Sequence, residues 1–227
     1  MTTGFGGRHI VITGGTGALG QGVVQAFARA GGTCHLPVQG PATAPPEAGI
    51  YITGNVELTD EGAVERYYGS LPPLYASVHV AGGFQVKPIA ETTRADFDQQ
   101  LEGNLITAFL CCREAVKAMR KSGGGRIVNV GARVVERPAG GMVAYSTSKA
   151  AVAALTRALA EEVRADGILV NAVLPSIIDT PGNRAAMPNA DPARWPTPGE
   201  IARTILWLAS PDNALTSGAL IPVYGNA

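Results

Sequence analysis

Short apolar runs and amphipathic stretches alternate along this chain from one end to the other. Residues 8–12 (RHIVI) form an apolar run of strand length, and residues 19–30 repeat their apolar positions at helical spacing until Gly31 and Gly32 interrupt them. Strands are expected at 33–38 and 50–52, a helix over 59–68 and a strand over 76–80. A long helix over 97–120 stops at the glycines of 123–125, followed by a strand at 126–130 (RIVNV) and a helix over about 145–164. A strand at 168–173, a helix over 198–209 and a strand at 219–223 complete the series. Segment 39–49 holds three prolines and two glycines, so a loop is expected there. Strands that are apolar throughout are buried on both faces, and the helices between them act as crossovers. The expected fold is therefore α/β: a doubly wound, mainly parallel sheet of seven strands with helices on both faces. No repeat or linker divides the chain, so one domain over 1–227 is expected.

Composition narrows the function classes. Hydrophobic residues are 46% of the 227 and charged residues 16%, a globular balance rather than a disordered one. Formal net charge is zero and no basic block occurs, which argues against nucleic acid or an anionic membrane as partner. Cys34, Cys111 and Cys112 are odd in number and lack a CxxC pair, so neither a disulfide framework nor a zinc site is expected. His9, His35 and His79 show no metal spacing and read as packed, neutral side chains in or beside strands; no metal is expected. No apolar run reaches bilayer length and residues 1–8 hold no apolar signal core, so a cytoplasmic protein is expected.

The first chemical feature is ITGGTGALG, residues 12–20, between the first strand and the first helix. A nucleotide pyrophosphate binds at such a turn, because glycines admit the backbone to the phosphates and the helix N-terminus offers free N–H groups. The expected contacts are Gly14, Thr16, Gly17, Ala18, Leu19 and Gly20. The second feature is Tyr145-Ser-Thr-Ser-Lys149, opening an alanine-rich helix after the fifth strand. Spacing i, i+4 sets phenol and ammonium on one helix face. At about 5 Å and an effective dielectric near 20, the attraction is about 3 kcal/mol, or roughly two pKa units. That shift would move the phenol from about 10 toward 8, suited to a general acid near neutral pH.

With these motifs the chain resembles the short-chain dehydrogenase/reductase family over nearly its whole length. Its landmarks are TGGTGALG, the AGG of residues 81–83, Asn104 in EGNLITAF, IVNV, YSTSK and LPSIIDTP. The spacing TGxxxGxG of that family is nearly met, with Ala18 in place of its middle glycine. The resemblance implies a Rossmann-type fold and an NAD(P)H-dependent oxidoreductase acting on a small molecule. Tyr145 would donate the proton, Lys149 would lower its pKa and bind the nicotinamide ribose, and Asn104 would hold a relay water. Further cofactor contacts would come from Ala81, Gly82 and Gly83, from Asn55 and Val56 near the adenine, and from Pro175, Ile177 and Thr180. Family members pair through two long helices, here 97–120 and 145–164, so a homodimer or homotetramer is expected.

The family's catalytic serine is missing: aligning on the fifth strand and Tyr145 puts Ala132 in its place. Losing one such donor costs about 3–4 kcal/mol, or 10²–10³ in rate, so an unactivated ketone would be slow. Ser176 and Arg133 are the other donors that could fill the role. GGTGALG, VAGGF, GAR without a serine, PAGGMVAY and DTPGNRAAMPNAD look like the dihydropteridine reductase-like branch of the family. That likeness implies reduction of an activated C=N or C=O bond in a small cyclic substrate, under a substrate loop around 178–197 contacted somewhere in 180–195. The alternatives are an ordinary ketoreductase or alcohol dehydrogenase, and a catalytically impaired nucleotide-binding scaffold. NAD versus NADP is left open, because Val38 and Gln39 stand where an acid or an arginine would decide.

Overall fold

The computed structural model describes residues 4–42 and 48–227. Seven strands form one sheet: β1 His9–Thr13, β2 Thr33–Pro37, β3 Ile50–Thr53, β4 Leu74–His79, β5 Gly125–Val130, β6 Ile168–Pro175 and β7 Leu220–Val223. Their order is β3-β2-β1-β4-β5-β6-β7 and every pairing is parallel. The expected mainly parallel sheet is thus wholly parallel among the described residues. The order reverses direction between β1 and β4, which opens a crevice at their carboxyl ends.

Helices α1 Ala18–Arg29 and α7 Pro198–Ala209 cover one face, packing Val23, Phe27, Ile201 and Ile205 against Ile10, Ile12 and Val128. Helices α2 Glu61–Gly69, α4 Thr107–Ser122 and α5 Val143–Glu162 cover the other, where Tyr68, Leu110 and Met119 meet Leu74, Ile127 and Val170. Burial on both sides explains why β1, β4, β5 and β6 read as continuous apolar runs. Only β3, at the sheet edge, alternates half-buried with exposed residues. Segment 39–42 is irregular, as expected for the proline-rich loop, and the rest of that expectation, at 43–47, lies outside the described residues.

The long helix expected over 97–120 is three pieces. It begins earlier, as α3 Arg94–Leu101, because Thr93 and Asp96 form a reciprocal capping box. A π-helical turn, Glu102–Ile106, then inserts one residue before α4, which ends at Gly123 in a left-handed conformation (φ 80°). A short helix missing from the sequence reading, α6 Pro181–Ala186, follows Thr180, whose hydroxyl accepts from the Asn183 N–H. A buried polar chain crosses the sheet: Tyr68 to Ser77 (2.9 Å), Ser77 to His79 (2.8 Å), His79 to Asn129 (2.8 Å) and Asn129 to Thr156 (2.9 Å). Burial lowers His79 and His35 to about 4, so both are neutral, as expected of packed histidines. The three cysteines are buried thiols, and no group of metal-binding side chains occurs among the described residues. Nor is any described helix long and apolar enough to cross a membrane.

Candidate active site

The site lies at the carboxyl ends of β1, β4, β5 and β6, where the chain turns out of each strand. After β1, Gly14 adopts φ 64°, and a side chain there would meet the Ala81 nitrogen at 2.7 Å. A methyl group at Gly20 would overlap the Gly14 carbonyl oxygen, so both glycines are required by close approach. Gly17 caps α1 with no side-chain hydrogen bond and the first turn carries no acid, which leaves the helix N–H groups free for an anion. This uncapped, side-chain-free cradle fits a dinucleotide pyrophosphate. Thr16, Gly17 and Ala18 are exposed along it, so the methyl of Ala18 obstructs nothing within the protein, while Leu19 is buried at the crevice.

After β4, Ala81, Gly82 and Gly83 are tied down from two sides. Thr13 Oγ1 accepts from the Ala81 N–H (3.2 Å), and Asn104 grips Gly83 by both its N–H (3.0 Å) and its carbonyl (3.1 Å). Asn104 occupies the π-helical turn and is buried, and its amide also donates to the Ser148 hydroxyl (3.1 Å). The side chain of Asn104 therefore positions the glycine segment against α5, and its amide oxygen, which among the described residues accepts only the Gly83 N–H, retains a second lone pair. Ser148 in turn donates to the Tyr145 carbonyl (2.8 Å). Its place three residues after Tyr145 was a legible signal that the sequence reading did not use.

Tyr145 and Lys149 come together as expected, but not with the expected electrostatics. The Lys149 ammonium is buried, donates to the Val130 carbonyl (2.9 Å) and lies 6.0 Å from the centroid of the Tyr145 ring. The predicted drop of the phenol toward 8 is overturned: burial pushes Tyr145 up to about 12 and Lys149 down to about 8. The reason is that Phe84 covers the ring edge-on, with centroids 4.9 Å apart, while the cation is drawn to a backbone carbonyl. Tyr145 thus keeps its proton at neutral pH, the form in which a phenol acts as an acid. Phe84 itself was visible only as a letter in VAGGF; its position over Tyr145 is a tertiary fact.

A cavity of about 230 Å³ joins these groups, lined among others by Leu19, Gly82, Phe84, Ala132, Tyr145 and Lys149. Pro175 and Ile178 line it too, whereas Ile177 and Thr180 do not; Thr180 instead caps α6. None of 180–195 reaches this cavity among the described residues, and Trp195 is buried beside a separate hollow of about 300 Å³. Ala132 presents a buried methyl group where a donor was sought. The Ser176 hydroxyl is committed to the Tyr224 carbonyl (2.7 Å), and Arg133 is not in the lining. At the far end of the crevice, Asn55 is exposed with a left-handed backbone (φ 58°), and Val56 is buried in the core.

A doubly wound parallel sheet, an uncapped glycine turn at its switch point and a Tyr–Lys pair facing it define a dinucleotide-dependent oxidoreductase. The chain belongs to the short-chain dehydrogenase family, whose model matches residues 8–191. It is 28% identical to the 3-oxoacyl-[acyl-carrier-protein] reductase MabA of Mycobacterium tuberculosis, over 97% of this chain and 93% of that one. It is 33% identical to galactitol 2-dehydrogenase of Rhizobium johnstonii, over 96% and 93% of the two chains. A solved structure of a putative NAD(P)-dependent gluconate 5-dehydrogenase from Beutenbergia cavernae, with bound NADP at low occupancy, superposes with a TM-score of 0.87 at 25% identity, covering 99% of this chain and 98% of that one. The protein is an enzyme of this family, with NAD(P) as its cofactor class.

Proposed function

We propose that the protein is an NAD(P)H-dependent reductase of activated C=N or C=O bonds in small cyclic substrates, of dihydropteridine reductase type. The bound nicotinamide supplies hydride. Tyr145 holds the proton to be delivered, and Lys149 holds positive charge beneath the ring at the Val130 carbonyl. Leu19 and the uncapped start of α1 carry the nucleotide, with Gly82 and Gly83 leaving it room. Phe84, Ala132 and Ile178 offer an apolar surface to a flat ring and exclude water from it.

The observation that carries this reading is Ala132. A reduced carbonyl develops negative charge on oxygen, and hydrogen-bond donors stabilise it in the transition state. Here Tyr145 is left as the side-chain hydroxyl facing the reacting atom, because Ala132 has none and Ser176 donates to Tyr224. An electron-poor quinonoid or iminium-like ring needs less of this help than a simple ketone. A second reading, an ordinary ketoreductase or dehydrogenase, is favoured by the names of the relatives, which include a 3-oxoacyl reductase and a polyol dehydrogenase. The deciding experiment is NADH and NADPH oxidation with a quinonoid dihydropterin, a quinone, a cyclic imine and a simple ketone. Much faster turnover of the first three is expected; equal or faster turnover of the ketone would establish the second reading. We further propose that the protein works in the cytoplasm as a homodimer or homotetramer, and that segment 178–197 closes over substrate.

A further inference from the structure

We infer that Gln39 and Glu57 make this enzyme select NADH over NADPH, by fixing a negative charge where the 2′-phosphate of NADPH would lie. The inference rests on dinucleotide binding at the glycine turn and not on the choice of substrate. With the pyrophosphate at that turn, the adenosine ribose falls over the carboxyl end of β2. The sequence puts no acid there, since β2 ends at Pro37 and Val38 and Gln39 follow. Folding brings one from elsewhere. Glu57, just beyond β3, accepts a hydrogen bond from the Gln39 amide at Oε2, and from the Thr59 N–H (3.1 Å) and hydroxyl (2.9 Å) at Oε1.

The two segments are stitched so that this pair cannot drift. Val38 donates to the Thr53 carbonyl, Val56 to the Val38 carbonyl and Asn55 to the Gly40 carbonyl, each at 2.9 Å. A side chain at Gly54 would come within 2.5 Å of the Ala42 nitrogen, so the strand ends are in direct contact. The donors from Thr59 and Gln39 hold the Glu57 carboxyl below its usual range, so it is ionised at neutral pH. No lysine or arginine occurs in 14–21 or 37–60 to neutralise a phosphate. The Gln39 amide oxygen has no donor among the described residues, which leaves it as an acceptor for a ribose hydroxyl but not for a phosphate.

The test is binding without substrate: titration of the purified full chain with NADH and with NADPH, read by nicotinamide fluorescence at low ionic strength. NADH should bind on the order of tenfold or more tightly than NADPH, with the ratio shrinking at high salt. Glu57→Gln should narrow the ratio chiefly by tightening NADPH, and adding Gln39→Arg should reverse it. Should Glu57→Gln lower the melting temperature, Gln39→Arg alone decides, and it must bring the NADPH Kd down. Equal or tighter NADPH binding by wild type, or an unchanged ratio in a well-folded variant, overturns the inference. Failure to bind either dinucleotide would overturn it together with the reductase reading, whereas tight NADH binding with no turnover would touch only the latter.

Discussion

Tyr145 and Lys149 stand one helical turn apart, yet burial acts on them in opposite directions: the phenol rises to about 12 and the ammonium falls to about 8. Tyr145→Phe removes the proposed proton donor but none of the proposed nucleotide cradle, so reductase activity should fall by about 10²-fold or more while NAD(P)H affinity stays near wild type. Steady-state turnover beside fluorescence titration checks both halves. Lys149→Met should abolish turnover and yet stabilise the fold near neutral pH by about 1–3 kcal/mol, because a buried cation is replaced by a thioether of similar length. The lost hydrogen bond to Val130 offsets part of that gain. Between pH 8 and its ordinary 10.5, the folded chain binds fewer protons at Lys149 than the unfolded chain, so wild type gains stability as pH rises through that window. The difference between wild type and variant should narrow there, which denaturant melts at two pH values would show. Ala132→Ser should speed reduction of a simple ketone more than that of a quinonoid ring, by up to about 10²-fold if the new hydroxyl finds its rotamer. No gain on either substrate, with good wild-type ketone turnover, would favour the ordinary ketoreductase.

Among the elements, the turn from β1 into α1 is the most constrained. Gly20 sits against the Gly14 carbonyl, and Gly14 against Ala81, so the loop has a single way to close. Gly20→Ala should lower stability by about 1–3 kcal/mol and weaken dinucleotide binding by roughly tenfold or more, measured by thermal melts and NADH titration. This element was legible from sequence because glycine spacing between a strand and a helix is local information. The π-helical turn at Glu102–Ile106 was only half legible: Gly103 beside Asn104 marked a weak point in the helix. What the weak point serves, a buried Asn104 gripping Gly83, depends on a segment about twenty residues upstream in the chain. The start of α3 was missed although its capping box, Thr93 with Asp96, is written in the sequence.

At the scale of the molecule, the outer faces of α4 and α5 leave Phe109 and Val143 exposed beside the small side chains of Ala150, Ala154 and Ala158. Val152, on the same helix as these alanines, packs inward at 1% exposure and adds nothing to that face. Exposed small side chains along α5, with exposed apolar groups on α4 and α5, suit pairing with a second copy. Light scattering at micromolar concentration should give at least twice the monomer mass, and Ala154→Arg should halve it without lowering the melting temperature of the monomer. A monomeric wild type would refute this.

The alternation of apolar runs and amphipathic stretches was enough to specify a parallel, doubly covered sheet, because burial on two faces removes the alternation a half-exposed strand would show. Glycine spacing and the i, i+4 Tyr–Lys pair likewise marked the residues proposed to carry the chemistry, since both depend on neighbours in the chain. Only the tertiary structure decided which groups those side chains meet. Lys149 chose the Val130 carbonyl, Phe84 came down on Tyr145, and Glu57 reached Gln39 across two strand ends. Each of these contacts joins residues about twenty or more apart in sequence. Burial and hydrogen bonding set charge and proton affinity there, and both depend on what surrounds a group in space rather than on its neighbours along the chain.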